Sequence, residues 1–195
     1  MAIARSKLTF EEYLTYDDAT DNRYELVNGE LIELPPESGL NVCIAKYLFL
    51  MLINAGVSFK LIQLHACEIQ VPVLQSGDAQ NRYPDLVVFR EEHLELTQRR
   101  LTITLDMPPP ALVVEIVSPG KSNHERDYQR KREQYSRVGI PEYWIIDPEQ
   151  QIVIVLTLES GQYIESGAFR EQNRLASPTF PTLQIAIAQI FEAAR

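Results

Sequence analysis

The sequence is poor in the residues that cross-link or metallate small domains. Its two cysteines, Cys43 and Cys67, stand alone, with no CxxC and no Cys/His spacing. They read as reduced, partly buried thiols rather than as a disulfide or a thiolate metal site. The three histidines, His65, His93 and His124, form no HxH or HxxxH pair. A histidine-based zinc site is therefore not expected, and any metal would rest mainly on carboxylates. No apolar run reaches the roughly 18 residues of a transmembrane helix, so no membrane partner is expected. Met1 to Phe10 has no apolar core segment, which sets aside a secretory leader and points to a cytoplasmic location. Repeats and low-complexity tracts are also missing. Positive charge is in deficit: 18 Lys and Arg against 27 Asp and Glu give a formal net charge of −9. A surface this acidic does not suit wrapping nucleic acid as a whole, so the placement of the positive charge matters more than its total.

What is present is ordinary for a globular domain. Hydrophobic residues make up 45% and charged residues 23% of 195 residues, which suits a single α/β domain spanning 1–195. Thr9 and Glu12 form a capping-box pattern that opens a short helix. Arg23 to Val27 and Glu30 to Leu34 flank Asn28-Gly29, the pair a type I′ hairpin turn needs. Ser38 to Ala55 has helical apolar spacing and stops at Gly56. Phe59 to Val73 reads as one long strand or two short ones broken near Pro72, Gln75 to Asn81 as a polar turn, and Pro84 to Phe89 as a short strand. Arg90 to Pro110 reads as a loop carrying one short helix or strand. Ala111 to Val117 is an apolar run that fits a central strand buried on both faces. Ser122 and Glu125 form a second capping-box pattern, and Gly139 closes the helix that follows. Tyr143 to Ile146 predicts another buried strand. Ile152 to Leu158 and Gln162 to Ala168 predict a hairpin across Ser160-Gly161, and Leu183 to Ala193 a final strand turn and helix. The order predicts a mixed α/β sheet with helices on its faces.

Five residues stand out against this pattern. Glu115 interrupts the run Leu112-Val-Val-Glu-Ile-Val. A buried carboxylate needs a cation, a metal or hydrogen bonds, unless it sits at an open strand end or in a structural ion pair. Asp85 follows Pro84 at the start of Leu-Val-Val-Phe, either as a strand-start turn residue or as a second acid brought beside the first. Two carboxylates that close repel, and a divalent cation with oxygen ligands resolves the repulsion. Lys131 lies in the inward stripe of its helix with Tyr128 and Tyr135, and Asp127 shares the adjoining edge. It either snorkels to water or points at a buried acid. Glu25, in the first hairpin, and Arg82, ahead of Tyr83-Pro84-Asp85, read as solvated charges or as further parts of a site.

In order, Tyr24-Glu-Leu-Val-Asn-Gly-Glu-Leu, Pro84-Asp-Leu-Val-Val, Leu112-Val-Val-Glu-Ile-Val-Ser-Pro, Asp127-x₃-Lys131-x₃-Tyr135 and Gly139-Ile-Pro-Glu-Tyr-Trp-Ile-Ile-Asp-Pro resemble a bacterial restriction endonuclease family. That family was formerly a domain of unknown function and belongs to the PD-(D/E)xK nuclease superfamily. The resemblance spans nearly the whole chain. It implies a restriction-endonuclease-like mixed sheet flanked by helices, with an N-terminal β-hairpin. It also implies Mg2+- or Mn2+-dependent hydrolysis of DNA phosphodiester bonds. Asp85 would be the acid of the PD pair, Glu115 the acid of the (D/E)xK element, and Glu25 the extra N-terminal acid. The metal would sit on Asp85, Glu115, Glu25 and the carbonyl of Ile116. Val117 stands where the superfamily lysine is expected, and Lys131 is the natural substitute. Asn41 stands where many relatives carry a histidine at the start of the long helix. Arg82, Lys121, Arg130 and Tyr135 are the expected phosphate contacts.

From Lys121 to Arg137, six cations face three acids, so this segment is +3 while the rest of the chain is −12. The expectation is a weak, salt-sensitive DNA binder with one local basic ridge. A homodimer or higher homo-oligomer would supply two sites for duplex cleavage, with Tyr143 to Leu158 and the C-terminal tail as candidate interfaces. Two other readings stay open: a non-catalytic module that keeps the nuclease fold for assembly or partner binding, and an RNA or branched-DNA nuclease using the same site.

Overall fold

The computed structural model of the chain describes residues 7–20 and 22–194, with the side chains of Lys121 and Ser122 outside that description. Helix α1 (Phe10–Leu14) starts at the expected capping box: the Thr9 hydroxyl accepts from Glu12 N–H at 3.2 Å, and the Glu12 carboxylate accepts from Thr9 N–H at 2.8 Å. Strands β1 (Tyr24–Val27) and β2 (Glu30–Glu33) form the Asn28-Gly29 hairpin, with positive φ at both turn residues. A side chain at Gly29 would meet Lys7 Cβ at 2.6 Å, so this turn needs glycine for space as well as for conformation. Helix α2 (Gly39–Asn54) is capped by Ser38, whose hydroxyl accepts from Asn41 N–H.

The segment read as one or two strands up to Val73 is split earlier than Pro72. A 3₁₀ turn (Phe59–Leu61) leads into β3 (Ile62–Leu64), and β4 (Glu68–Gln70) follows after a break at His65–Cys67. His65 causes the break, because its left-handed backbone (φ 52°) cannot continue a strand. β5 (Asn81–Arg82) and β6 (Leu86–Val88) come next. The stretch expected to hold one short helix or strand holds both α3 (His93–Leu96) and β7 (Thr102–Ile103). After β8 (Leu112–Ile116) runs a helix in three parts: α4 (Lys121–Glu125), a π turn (Arg126–Arg130) and α5 (Lys131–Val138). It begins at Lys121, which places Ser122 inside the first turn rather than at the cap. It ends, as expected, at Gly139 with φ 88°. β9 (Glu142–Asp147), β10 (Ile152–Glu159), β11 (Gln162–Arg170) and α6 (Ile187–Glu192) complete the chain.

Six strands form the main sheet in the order β11-β10-β9-β8-β6-β3. β8 and β9 run parallel and the other neighbours antiparallel, so the sheet is mixed as expected. A smaller sheet, β5-β4-β7, carries the first hairpin beside it through the bridge Val27–Ala79. The period of two divides β8 between two cores. Leu112, Val114 and Ile116 join Trp144, Ile146 and the α2 residues Ile44, Leu48 and Leu52. Val113 and Val117 join Tyr143, Ile145, Tyr135 and Ile140 on the face covered by α5. Glu115 belongs to the second face.

Tyr143–Leu158 is apolar because β9 and most of β10 are buried in the sheet, and the tail buries Ile187, Ile190 and Phe191 beside α2. These segments are spent largely on the chain's own core, which accounts for their apolar composition. Cys43 also departs from expectation: it is exposed on α2, while only Cys67 is buried. Burial pushes the Cys67 thiol well above its usual range. An aromatic disulfide reagent should therefore titrate one thiol of the native protein and two of the urea-unfolded protein. Rapid titration of both in the native state would contradict this packing.

Candidate active site

The site lies where three neighbouring strands of the main sheet end. Leu64 pairs Leu86 and Leu86 pairs Val114. Continuing both antiparallel registers by one residue sets His65 opposite Asp85 and Asp85 opposite Glu115. Two contacts fix this arrangement: His65 N–H donates to the Asp85 carbonyl at 3.0 Å, and Ile116 N–H donates to Asp85 Oδ2 at 2.7 Å. Asp85 is therefore more than a strand-start residue. Its carboxylate closes the end of β8 and faces a cleft of about 260 Å³. Glu25, Glu37, Asn41, Glu115, Ile116, Arg126 and Lys131 line the same cleft.

Glu115 is buried, and both its oxygens are engaged from the helix that covers it. Lys131 Nζ donates to Oε2 at 2.6 Å, and Tyr135 Oη donates to Oε1 at 2.6 Å. Lys131 is itself buried and is held from the other side by Asp127 Oδ1 at 2.9 Å, one helical turn back. Of its two open readings, Lys131 takes the one in which it points at the acid. Burial pushes the Glu115 carboxyl up to about 7, the nearby Asp127 and Asp85 add to this, and the Lys131 ammonium acts in the opposite direction. For Lys131, burial works against the charge, but Asp127 and Glu115 outweigh it, so the group stays protonated. Burial and Glu115 together keep the Tyr135 phenol protonated, as its donor role requires.

The remaining expected residues divide into those near the cleft and those drawn elsewhere. Glu25 lines the cleft, but its carboxylate receives Arg82 Nη1 at 3.0 Å through both oxygens. Arg82 is buried, not solvated, and its Nε donates to Gln134 Oε1 at 2.9 Å. Gln134 in turn donates to the carbonyls of Pro72 and Ala79. Arg82 thus locks the first hairpin to α5. Arg130 pairs with Asp78 and Tyr135 is fully buried, so neither lines the cleft. The Lys121 side chain lies outside the described residues. Asn41 sits at the helix start and donates through Nδ2 to the Ile116 carbonyl at 3.1 Å and to Ser118 Oγ at 3.3 Å.

Sequence reasoning missed Arg126, Glu37 and His65. Arg126 leaves the π turn, a helix irregularity common at functional sites, and lines the cleft while pairing with Asp127 at 3.2 Å. Among the described residues, Glu37, His65 and Asp85 bring ligand atoms within 4.8 Å of one another. Only the cross-strand registers bring the last two together, and local sequence does not carry that signal.

The donor chemistry fits a divalent cation. Asp85, Glu115, Glu25 and the Ile116 carbonyl are the oxygen donors that hard cations prefer, and each engaged oxygen keeps a free lone pair.

Proton linkage gives a test of this site without any ligand. A carboxyl whose folded pKa lies near 7, above its ordinary 4.5, binds a proton in the folded chain that the unfolded chain has already lost. Its contribution to stability therefore falls as pH rises through that window. Urea unfolding from about pH 5 to pH 8 should show wild type losing stability relative to Glu115→Gln as pH rises. Parallel pH profiles for the two proteins would contradict the shift.

No functionally curated protein matches this chain. Among solved structures, it resembles a crystal structure from Anabaena variabilis ATCC 29413, described as a putative nuclease belonging to DUF820. The TM-score is 0.69 at 20% identity, with 96% of this chain and 99% of that chain covered, a likeness of fold. The sequence of residues 10–188 matches the Uma2 family, whose description is "Putative restriction endonuclease", and the chain belongs to that family.

Proposed function

We propose that this chain is a divalent-metal-dependent endonuclease that hydrolyses phosphodiester bonds in DNA, with Mg2+ or Mn2+ as its cofactor. The observation that carries this reading is the meeting of Asp85 and Glu115 on adjacent strands at one cleft, with the Lys131 ammonium 2.6 Å from Glu115. Family membership and the nuclease-like fold support the same reading. Asp85, Glu115 and the Ile116 carbonyl would hold the cation, with Glu25 as a further acid when its bond to Arg82 is shared. When bound, the cation supplies Lewis-acid polarisation of the phosphate and a more acidic water.

The chain's own groups supply the rest. Asp127 and Glu115 hold the Lys131 ammonium at the cleft wall, where it orients the attacking water and offsets charge that develops on the phosphate. Arg126, also on the wall, contacts the phosphate backbone. Water oxygen bonds to phosphorus as the bond from phosphorus to the 3′ oxygen breaks. The leaving oxygen takes a proton, giving a 3′-hydroxyl and a 5′-phosphate. A net charge of −9 makes DNA binding weak and salt-sensitive, and a homodimer supplies two sites for the two strands of a duplex.

The test is cleavage of supercoiled plasmid, single-stranded and branched DNA in Mg2+ or Mn2+, with Asp85→Ala as the control. Wild type should cut DNA, chelation should stop it, and Asp85→Ala should lose at least about 100-fold in rate, as expected when transition-state charge stabilisation is lost. Lys131→Met should lose rate with a smaller effect on DNA affinity. Equal cleavage by wild type and Asp85→Ala would overturn the assignment. No cleavage of any DNA would favour a non-catalytic module, and cleavage of RNA alone would change the substrate.

A further inference from the structure

We propose that His65 and Glu37 join Asp85 in a nitrogen-containing metal site, which gives this protein a preference for a borderline transition-metal cation such as Co2+ or Zn2+ over Mg2+. The proposal shares Asp85 with the proposed endonuclease site but concerns which cation the cleft selects, so it can fail or hold independently of cleavage.

Three observations carry it. The first is distance. His65 Nδ1 lies 3.4 Å from Asp85 Oδ1, and one ligand atom from each of Glu37, His65 and Asp85 falls within 4.8 Å of the other two. Two ligand atoms each about 2.0–2.2 Å from a shared cation lie about 3–3.6 Å apart in tetrahedral or cis positions, which the His65–Asp85 pair meets as it stands and Glu37 meets by a small side-chain adjustment. The second is the state of the imidazole. Both ring nitrogens of His65 are buried from solvent and, among the described residues, neither has a hydrogen-bond partner. A buried polar atom left unpartnered costs about 1–3 kcal/mol, and most such groups in folded proteins are satisfied. A cation bridging His65 and Asp85 would satisfy one nitrogen. The third is the backbone. His65 adopts φ 52°, a left-handed conformation that most residues with a side chain avoid. It is held there by its N–H on the Asp85 carbonyl and by Arg23, which donates to the His65 carbonyl. The same Arg23 lies 3.6 Å from Glu37 Oε1, so one guanidinium ties together the two residues that flank Asp85. Strain maintained by surrounding contacts points to a use for the residue.

The chemistry then sets the selectivity. Mg2+ prefers six oxygen ligands and gives up water reluctantly. An imidazole nitrogen beside two carboxylates favours later first-row divalent ions, whose affinities rise from Mn2+ towards Cu2+. Glu115, engaged on both oxygens by Lys131 and Tyr135, stands on the far side of Asp85, so the two ligand sets meet at this one carboxylate.

The experiment uses the full chain and reads metal binding directly. Co2+ is titrated and followed by visible absorption, and Mn2+ and Mg2+ are titrated by calorimetry. Wild type, His65→Asn and Asp85→Asn are compared. Asparagine tolerates the left-handed backbone, so His65→Asn removes the imidazole with little cost to the fold. Circular dichroism confirms that each variant is folded. Wild type should bind Co2+ more tightly than Mg2+, with an absorption spectrum that changes when nitrogen ligation is lost. His65→Asn should weaken Co2+ by more than the roughly 10–100-fold that loss of an outer-sphere partner costs, and leave Mg2+ affinity within about 3-fold. Asp85→Asn should weaken both ions. Equal Co2+ affinity and an unchanged spectrum in His65→Asn would overturn the proposal, as would wild type that binds Co2+ no more tightly than Mg2+. Selective Co2+ binding without DNA cleavage would leave this proposal standing and count against the endonuclease.

Discussion

A carboxylate placed inside a β-sheet organises this molecule. Glu115 sits on the face of β8 that packs under α5, among valines and tyrosines, and would be intolerable there alone. Its compensation comes from one helix: Lys131 on one oxygen and Tyr135 on the other. Asp127 then neutralises what remains of the lysine's charge. Removing one member of such a buried pair costs about 3–5 kcal/mol, because the partner is left charged and unpaired. The docking of α5, its register against β8 and the wall of the cleft are therefore one arrangement. Val117, which stands where the PD-(D/E)xK superfamily pattern has a lysine, lies on the same sheet face as Glu115. In this chain the cation reaches that face from the helix above rather than from the strand.

The rest of the electrostatics follows the same habit of local pairing. Arg82 is spent on Glu25 and Gln134, Arg130 on Asp78, and Arg100 on the buried Glu68. Among the described residues, the cations of the +3 segment read from the sequence are mostly paired within the chain. Arg130 and Lys131 are paired inward, Arg132 donates to the Tyr163 carbonyl, and Arg137 is exposed beyond the cleft. Among the described residues, the positive charge that lines the cleft is that of Lys131 and Arg126. Under the proposed function, an acidic protein with its cations committed in this way would meet a phosphate chain at a point rather than along a surface. Among the described residues, no helix is long and apolar enough to cross a membrane.

Features written in local sequence were legible. The Thr9 capping box, the Asn28-Gly29 turn, the Gly56 and Gly139 helix ends and the apolar β8 run each depend on neighbouring residues, and each was found where expected. The place of Lys131 in the inward stripe was legible too, because helical periodicity sets it with Tyr135, but the choice between snorkelling and pointing at the acid was not. What the sequence hid depends on contacts between distant segments. Arg82 reads as a surface charge until the hairpin brings Glu25 and α5 brings Gln134. His65 reads as an isolated residue in a strand until the pairing of β3 with β6 carries it to Asp85, twenty positions away. The π turn escaped notice because the helical pattern continues through it, although it sets how Arg126 and Lys131 are presented together. For Tyr143–Leu158 composition alone does not separate core from interface, since strands buried on both faces are as apolar as an interface.

The central claim is that Glu115 and Lys131 form one coupled unit on which the cleft is built. A double-mutant cycle measures that coupling directly, using Glu115→Gln, Lys131→Met and the double variant in urea unfolding near neutral pH. The structure predicts a coupling energy of about 1.5–3 kcal/mol, with the double variant more stable than the sum of the single losses allows. Additivity within about 0.5 kcal/mol would show two independent residues and contradict the account.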